Sequence, residues 1–347
     1  MGATEMDATQ SRPALIAAIE LVASGAVLPA TLAEAVMEQI MDGDADPAGT
    51  AALLAMLHLR GETAEEVAAF ARVMRVKSVR VDAPEDAVDL CGTGGDGSRS
   101  FNISTIAAFV VAGAGAPVAK HGNRAATSRC GSADLIEALG LPLDPGPETV
   151  ARSIRETGFG FIFAPSYHPA MRHVAPVRRS LPIRTVFNLL GPISSPARVR
   201  RQLVGVANVQ LLGLVADALV RLEPRRALVV HSGDGLDELS VSGPNHAVLI
   251  EGRRMEEMKI DAVEFGLRRS PAEALVGGDA QLNSAICLSV LGGEAGPTRD
   301  VVLLNAGAAL FVAGRAQTID EGLAQAMEAV DSGRAAEVVT AAAAISG

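Results

Sequence analysis

Residues 89–140 decide the fold and read DLCGTGGDGSRSFNISTIAAFVVAGAGAPVAKHGNRAATSRCGSADLIEALG. A short apolar segment leads into a glycine-rich turn at residues 92–97, and a second one leads into a basic run at residues 120–125. Between these two turns, residues 103–112 are apolar and helix-like, with polar residues at their start. The order strand, glycine turn, helix, strand, basic loop predicts an α/β arrangement with parallel strands.

The chain beyond this stretch continues the alternation. Apolar segments at residues 158–163, 202–207, 226–231 and 247–250 predict further strands, and helix-length segments lie between them. Parallel sheets bind ligands at the carboxyl ends of their strands. The segments that begin at Gly92, Lys120, Ala164 and Ser232 each follow a predicted strand, so we expect them to converge on one crevice.

The region before the sheet, residues 13–80, predicts short helices and no strand. Thr31 to Glu34 and Thr63 to Glu66 both have the spacing of a capping box, which marks the start of a helix. Asp46-Pro47 is a second kind of start signal, and Gly43 is typical of a helix end.

These patterns predict an α/β protein with two domains. A small all-helical N-terminal domain covers residues 1–84 and is joined by a basic, proline-containing helical excursion at residues 168–190. The larger α/β domain, with a mostly parallel central sheet, covers residues 85–167 and 191–347. Residues 300–314 and 335–345 predict two of its helices.

Composition excludes several classes of protein. The net charge of −10 argues against nucleic acid as the main partner. The three cysteines have no metal-ligand spacing and indicate a reducing compartment. Residues 1–13 do not read as a secretory signal, and no apolar run reaches membrane-spanning length. We therefore expect a soluble, cytoplasmic protein that binds neither nucleic acid nor membrane.

The glycine turn GTGGDG lacks the Lys-Ser/Thr ending of a nucleotide P-loop, so alone it is as compatible with a plain tight turn as with an anion site. The helix start at Asn102, Ser104 and Thr105 favours the anion site, because helix N-termini bind phosphate. Asp96 either hydrogen-bonds its own turn or contacts sugar hydroxyls or a metal-bound water.

Two further motifs carry charge. Lys120, His121, Asn123 and Arg124 lie within five residues, either as a solvated cluster or, since they follow an apolar strand, as a phosphate-binding group in a cleft. Asp237-Glu238 is either a solvated turn or, facing a diphosphate, a Mg²⁺ site. No spacing indicates a nucleophile or a general acid/base, so no catalytic side chain of that kind is assigned.

Taken together, residues 92–96, 102–105, 120–140, 168–192 and 237–238 resemble the anthranilate phosphoribosyltransferase family over nearly the whole chain. The resemblance implies the nucleoside phosphorylase/phosphoribosyltransferase-like fold, a homodimer formed through the helical domain, and Mg²⁺ as cofactor. It also implies transfer of phosphoribosyl from phosphoribosyl pyrophosphate to the amine of anthranilate, with release of pyrophosphate.

The resemblance also implies roles residue by residue. To the phosphoribosyl pyrophosphate site it assigns Gly92, Gly95, Asp96, Ser100, Asn102, Ile103, Ser104, Thr105, Lys120, His121, Gly122, Asn123, Arg124, Ala125, Ala126, Thr127, Ser128 and Ser132. To anthranilate it assigns Gly92, Asn123 and Arg178, and to Mg²⁺ it assigns Ser104, Asp237 and Glu238. Arg178 is expected to pair with the anthranilate carboxylate.

Three positions depart from the family pattern: Pro182, where Gly is common, Ser195, where Asn is common, and Thr127, where Ser is more usual. They put local geometry in question rather than the reaction. Two rival functions stay open at this point. One is a nucleoside phosphorylase of similar fold, and the other is a degenerate relative that binds nucleic acid.

Overall fold

The computed structural model describes residues 13–125 and 129–345. Four helices precede the first strand: α1 (Ala14–Ala23), α2 (Ala30–Asp42), α3 (Pro47–Arg60) and α4 (Ala64–Lys77). The remaining elements alternate along the chain as β1 (Val88–Gly92), α5 (Ile103–Gly113), β2 (Val118–Gly122), α6 (Ser132–Ala138), α7 (Pro147–Thr157), β3 (Phe159–Phe163), α8 (Ala164–Tyr167), α9 (Met171–Ser180), α10 (Phe187–Ile193), β4 (Arg201–Gly205), α11 (Leu211–Val220), β5 (Arg226–Ser232), β6 (Asn245–Glu251), β7 (Arg254–Ile260), α12 (Ala280–Leu291), α13 (Pro297–Ala313), α14 (Ile319–Asp331) and α15 (Arg334–Ile345). None of the described helices is long and apolar enough to span a lipid bilayer.

The sheet has the strand order β3-β2-β1-β4-β5-β6-β7. The first five strands in this order are parallel, and β6 and β7 are antiparallel additions at one edge. The prediction of a mostly parallel central sheet is confirmed. Because β3, β2, β1, β4 and β5 run in the same direction, the segments that follow them all leave the same edge of the sheet.

The four N-terminal helices begin largely where their capping signals lie. Thr63 and Glu66 form the predicted capping box, and Asp46 Oδ2 accepts a 2.7 Å hydrogen bond from Gly49 N. Gly43 ends α2 in the left-handed region, with φ +84°. The capping box predicted at Thr31 is wrong. Pro29 occupies the N-cap and α2 begins at Ala30, so Thr31 already lies inside the first turn.

The excursion predicted at residues 168–190 forms α9 and the start of α10. Helix α9 packs on α2 and α3, as expected for a segment that joins the N-terminal helices. Its buried Val174 and Val177 belong to the same apolar cluster as Leu54 and Phe70. The exact domain boundaries given above stay a prediction.

One face of the sheet is covered by apolar helices. Helix α5 is buried over most of its length, and it packs against α13, α14 and α15. This packing fixes the N-terminus of α5 beside the carboxyl edge of the sheet, directly after β1 and the glycine turn.

Candidate active site

The glycine turn after β1 needs glycine for two reasons. Gly94, Gly95 and Gly97 have φ values of +66°, +74° and +75°, in the left-handed region that favours glycine. Gly92 has an ordinary backbone, but a Cβ atom there would collide with the carboxylate of Asp237. The turn is therefore shaped both by its own conformation and by the close approach of the acidic loop.

The acidic pair Asp237-Glu238 lies in the loop after β5 and reaches the glycine turn. Asp237 Oδ2 accepts a 2.7 Å hydrogen bond from Gly94 N, and Asp237 N donates to Asp96 Oδ2 at 3.4 Å. Burial raises the pKa of Asp237, and the nearby Asp96 carboxylate raises it further. Burial, followed by the charge of Asp237, raises the pKa of Glu238, while Lys120 and the Ser104 hydroxyl oppose that rise. Close, half-buried carboxylates of this kind favour a bound cation.

Asp96 takes part in the turn itself. Its Oδ2 accepts a 2.7 Å hydrogen bond from Ser98 Oγ, and its Oδ1 accepts from Ser98 N at 3.3 Å. Ser98 Oγ in turn lies 3.3 Å from Ser100 Oγ. Asp96 thus hydrogen-bonds its own turn, as the simpler of the two interpretations expects, and it also contacts the acidic loop.

The N-terminus of α5 begins where the sequence predicts. Asn102 is the N-cap residue, and Ile103, Ser104 and Thr105 form the first turn. The Asn102 side chain is held from α12, because its Oδ1 accepts from Asn283 Nδ2 at 2.8 Å. The first turn therefore presents its backbone N–H groups at the same edge as the glycine turn, in a geometry suited to an anion.

Lys120 and His121 lie inside β2, so their prediction as loop residues is wrong. The strand continues to Gly122, which pairs with Phe163 of β3. Lys120 is buried, and its Nζ donates to Leu90 O at 2.6 Å and to Ser104 Oγ at 3.3 Å. The ammonium group thus lies beneath the first turn of α5, where it adds positive charge to the anion-binding surface.

Asp89, to which the sequence assigns no role, provides the acidic group that counters the charge of Lys120. Its Oδ1 accepts a 3.1 Å hydrogen bond from His121 N, and burial raises its pKa to about 7 against the opposing effect of Lys120.

His121 packs against His168, with ring centroids 5.2 Å apart. Burial, with His168 as a second cause, lowers the pKa of His121 to about 3, and burial lowers that of His168 to about 4. Both imidazoles are therefore neutral near pH 7, and His121 Nδ1 lies 3.1 Å from Gly191 O. The site has two neutral rings at this position rather than two further cations.

The segment after β2 carries the rest of the predicted basic loop. Asn123 N donates to Ser132 Oγ at 3.1 Å, and Gly122 lies against the same hydroxyl. Arg124 Nη1 pairs with Asp134 at 2.7 Å and with Glu137 at 2.9 Å. Ala125 N donates to Asp134 Oδ2, while the predicted residues Ala126, Thr127 and Ser128 lie outside the described residues.

Arg178 lies in the last turn of α9, outside the elements that carry the glycine turn and the acidic pair. Its Cζ is 5.2 Å from the centroid of the Phe187 ring. Burial alone lowers its pKa, so no described carboxylate offsets that cost. A half-buried guanidinium on an aromatic ring is well suited to a planar carboxylate ligand.

Arg184, for which the sequence predicts no role, contacts the glycine turn. Its Nη2 donates to Gly94 O at 2.9 Å, and a Cβ atom on Gly95 would collide with its Nη1. The peptide units of Gly94 are therefore held by Asp237 through the N–H and by Arg184 through the carbonyl. Only the position of Arg184 in the three-dimensional fold reveals this contact.

The donor set around the acidic pair fits Mg²⁺. In the described part of the chain no three His, Cys, Asp or Glu side chains form a metal cluster by themselves. Asp237, Glu238 and the Ser104 hydroxyl instead offer hard oxygen donors beside an anion-binding helix start. That set is typical of Mg²⁺, which keeps several waters and binds through one or two carboxylates plus substrate phosphates.

Comparison with known proteins agrees with this geometry. The model described as "Glycosyl transferase family, a/b domain" matches residues 84–336, and "Glycosyl transferase family, helical bundle domain" matches residues 16–78. The anthranilate phosphoribosyltransferase of Rubrobacter xylanophilus is 53% identical over 319 residues, which cover 92% of this chain and 93% of that protein. The chain belongs to the anthranilate phosphoribosyltransferase family. The Herpetosiphon aurantiacus member is 52% identical over 305 residues, or 87% of this chain and 90% of that protein.

Solved structures of the family have the same fold. The Thermus thermophilus anthranilate phosphoribosyltransferase superimposes with a TM-score of 0.91 at 45% identity, covering 96% of this chain and 99% of that one. The Saccharomyces cerevisiae member, solved in complex with PRPP and Mg, gives a TM-score of 0.88 at 27% identity, with 97% and 99% coverage. The family, fold class and enzyme class predicted from the sequence are confirmed.

Proposed function

We propose that this chain transfers the phosphoribosyl group of phosphoribosyl pyrophosphate to the amine of anthranilate, with release of pyrophosphate. We also propose that the site has two sides, one that binds the diphosphate and Mg²⁺ and one that binds anthranilate. The reaction is that of its family, and Mg²⁺ is its cofactor. The observation that carries the proposal is the contact between Asp237 and the glycine turn, because it joins a cation-binding pair to an anion-binding loop.

The carboxyl edge of the sheet forms the phosphate side of the proposed site. The glycine turn and the first turn of α5 direct N–H groups toward a diphosphate, and Lys120 adds charge from beneath. Ser104, Asp237 and Glu238 would hold Mg²⁺, which neutralises the diphosphate as its negative charge grows. The chain's own N–H groups act electrostatically on the same leaving group.

Arg178 forms the proposed anthranilate side. Its guanidinium pairs with the substrate carboxylate and so orients the amine toward C1 of the ribose. Holding both substrates in one crevice turns a two-molecule encounter into a positioned one. Asn123 follows β2 on the phosphate side, and we propose that its side chain also contacts anthranilate.

No general base is assigned, and the chemistry does not demand a strong one. An aromatic amine is neutral near pH 7 and already carries the lone pair that attacks C1. The imidazoles of His121 and His168 have lowered pKa values, which keep them uncharged.

Assembly and location are further proposals. A homodimer through the helical domain is supported by exposed apolar side chains on α1 and α3, with Ile16 45% and Leu59 88% exposed. A cytoplasmic location is supported by the free thiols of Cys91 and Cys287, which a reducing compartment maintains.

The test is a fluorescence assay for the anthranilate product, with phosphoribosyl pyrophosphate supplied in the presence of Mg²⁺ or of excess EDTA. We expect product formation that depends on both phosphoribosyl pyrophosphate and Mg²⁺. Phosphorolysis of pyrimidine nucleosides without any anthranilate transfer would instead support the rival phosphorylase.

A further inference from the structure

The backbone directly after the acidic pair is held by a buried asparagine of α13. Leu239 follows Glu238, and its N–H donates to Asn305 Oδ1 at 3.0 Å. Its carbonyl accepts from Asn305 Nδ2 at 2.8 Å. The side-chain amide of Asn305 therefore makes both hydrogen bonds to one residue, as a neighbouring strand would.

A second asparagine does the same one residue later, from the other side of the loop. Ser240 N donates to Asn245 Oδ1 at 2.7 Å, and Ser240 O accepts from Asn245 Nδ2 at 3.0 Å. Asn245 lies at the start of β6 and also donates to Ile260 O of β7 at 2.9 Å. We call Asn305 and Asn245 the asparagine pair. Together they fix the backbone of two consecutive residues beside the acidic pair.

Asn305 is an unusual residue for its position. It is fully buried in the apolar helix α13, among Leu304, Ala306 and other buried residues. Asparagine is a poor residue for a helix interior, and its amide is costly to bury unless it is hydrogen-bonded. Besides one bond to Val301 O in its own helix, the amide makes hydrogen bonds with the two backbone atoms of Leu239. Alanine or leucine would be more favourable than asparagine for the helix itself. We therefore attribute the presence of asparagine to its hydrogen bonds with the loop.

The loop that it serves has a reason to need fixing. Asp237 and Glu238 are adjacent, half-buried acidic residues, and an unrestrained loop would relax in the direction that separates their charges or exposes them to water. The loop also approaches the sheet closely, since a Cβ atom on Gly205 of β4 would collide with the Asp237 backbone.

We propose that Asn305 and Asn245 are positioning residues for the site formed by Asp237 and Glu238, and that their amides hold the loop backbone so that the two carboxylates face the glycine turn in the geometry a divalent cation and a diphosphate require. The inference rests on the proposed function of the acidic pair. It adds two residues, far from the site in sequence and not in contact with substrate, that act through the backbone of Leu239 and Ser240.

Substitution with serine separates this role from simple folding. In Asn305→Ser the hydroxyl still reaches Val301 O within the helix but is too short to reach Leu239. Asn245→Ser removes the second amide from a different element, so it carries the test if α13 does not tolerate the first change. Ser153→Ala is a matched control, because Ser153 is also buried and its Oγ donates to Phe159 O at 2.7 Å, at the start of β3 and away from the acidic loop.

The measurements are Mn²⁺ binding, followed by the free-ion electron paramagnetic resonance signal in the presence of pyrophosphate, and the Mg²⁺ concentration that gives half-maximal activity. We expect both serine variants to weaken Mn²⁺ binding and raise the Mg²⁺ requirement by about tenfold, the usual scale for residues that orient metal ligands. The anthranilate KM should be unchanged, and Ser153→Ala should match the wild type in both readouts.

Hydrogen exchange decides between the outcomes. One outcome is that Leu239 and Ser240 lose amide protection in the serine variants while Mn²⁺ binding stays at the wild-type level. In that case the asparagine pair holds the loop in the wild type, but cation binding does not depend on it, and the inference is overturned. If Asp237→Asn/Glu238→Gln also leaves Mn²⁺ binding unchanged, the proposed function of the acidic pair has failed instead.

Discussion

The two sides of the crevice are built in different ways. The phosphate side consists of strand ends, a glycine turn and a helix start, which are joined by hydrogen bonds. Gly94, for example, donates its N–H to Asp237 and accepts a hydrogen bond from Arg184 at its carbonyl. The anthranilate side is carried by α9, where Arg178 rests on the Phe187 ring and α9 contains an internal proline, Pro176. The first side is held by a polar network and the second by apolar packing on α2 and α3.

This difference matches the ligand that we propose for each side. A diphosphate with Mg²⁺ concentrates charge, so its site needs fixed donors and acceptors at several points. Anthranilate has one carboxylate and an apolar ring, so one guanidinium and a hydrophobic surrounding are enough for its orientation. We expect the two sides to fail independently when they are mutated.

The largest effect is expected from the acidic pair. Asp237→Asn/Glu238→Gln should lower kcat/KM for phosphoribosyl pyrophosphate by about 100-fold or more, because it removes the carboxylates that hold the cation against the departing charge. Steady-state kinetics across a Mg²⁺ titration would measure this. The control is Glu256→Gln/Glu257→Gln, an adjacent and exposed acidic pair on β7 with the same change in charge. Unchanged activity and metal response would make the acidic pair a surface turn.

The second effect concerns Arg178. Arg178→Ala should raise the anthranilate KM by about 30-fold, the scale of a lost hydrogen bond to a charged group, and leave the phosphoribosyl pyrophosphate KM nearly unchanged. Arg179→Ala is the matched control on the same helix, since Arg179 is exposed. Equal increases in both KM values would contradict the division into two sides.

A smaller effect, on stability, concerns the buried ring of His168. Its pKa is about 4 in the folded chain, against 6.5 for an ordinary histidine, so unfolding takes up a proton as the pH falls below 6.5. The stability that this neutral ring contributes is complete above pH 6.5 and is lost toward pH 4. Between about pH 7.5 and about pH 5, His168→Gln should therefore lose about 2 kcal/mol less unfolding free energy than the wild type does. Urea denaturation at both pH values measures this difference, and identical losses would show that His168 is already protonated or exposed.

The motifs of the proposed phosphate side could be recognised in the sequence because each of them is contiguous. The glycine turn, the start of α5 and the acidic pair each lie within a few residues, and each has a mechanism that works locally, such as a left-handed turn or a helix start. The number and the ends of the strands were predicted less well, because they depend on pairing between strands. β7 was missed because RMEEMKI is mostly exposed and lacks a buried face, and β2 extends past Lys120 because its pairing with β3 continues.

The contacts that hold these motifs together could not be predicted. Asp89, Arg184 and Asn305 act on residues far from them in sequence, and none lies in a pattern that marks it. Arg124 has contacts of the same kind. Its motif predicts a phosphate contact, and the structure adds ion pairs with Asp134 and Glu137 on α6, which the motif does not reveal.

The independence of the two sides can be measured directly by isothermal titration of Arg178→Ala with phosphoribosyl pyrophosphate in Mg²⁺ and, in a separate titration without phosphoribosyl pyrophosphate, with anthranilate. The account predicts wild-type affinity for phosphoribosyl pyrophosphate and an affinity for anthranilate that is about 30-fold weaker than that of the wild type. Loss of phosphoribosyl pyrophosphate affinity together with that of anthranilate would contradict it, because Arg178 would then belong to one site shared by both substrates.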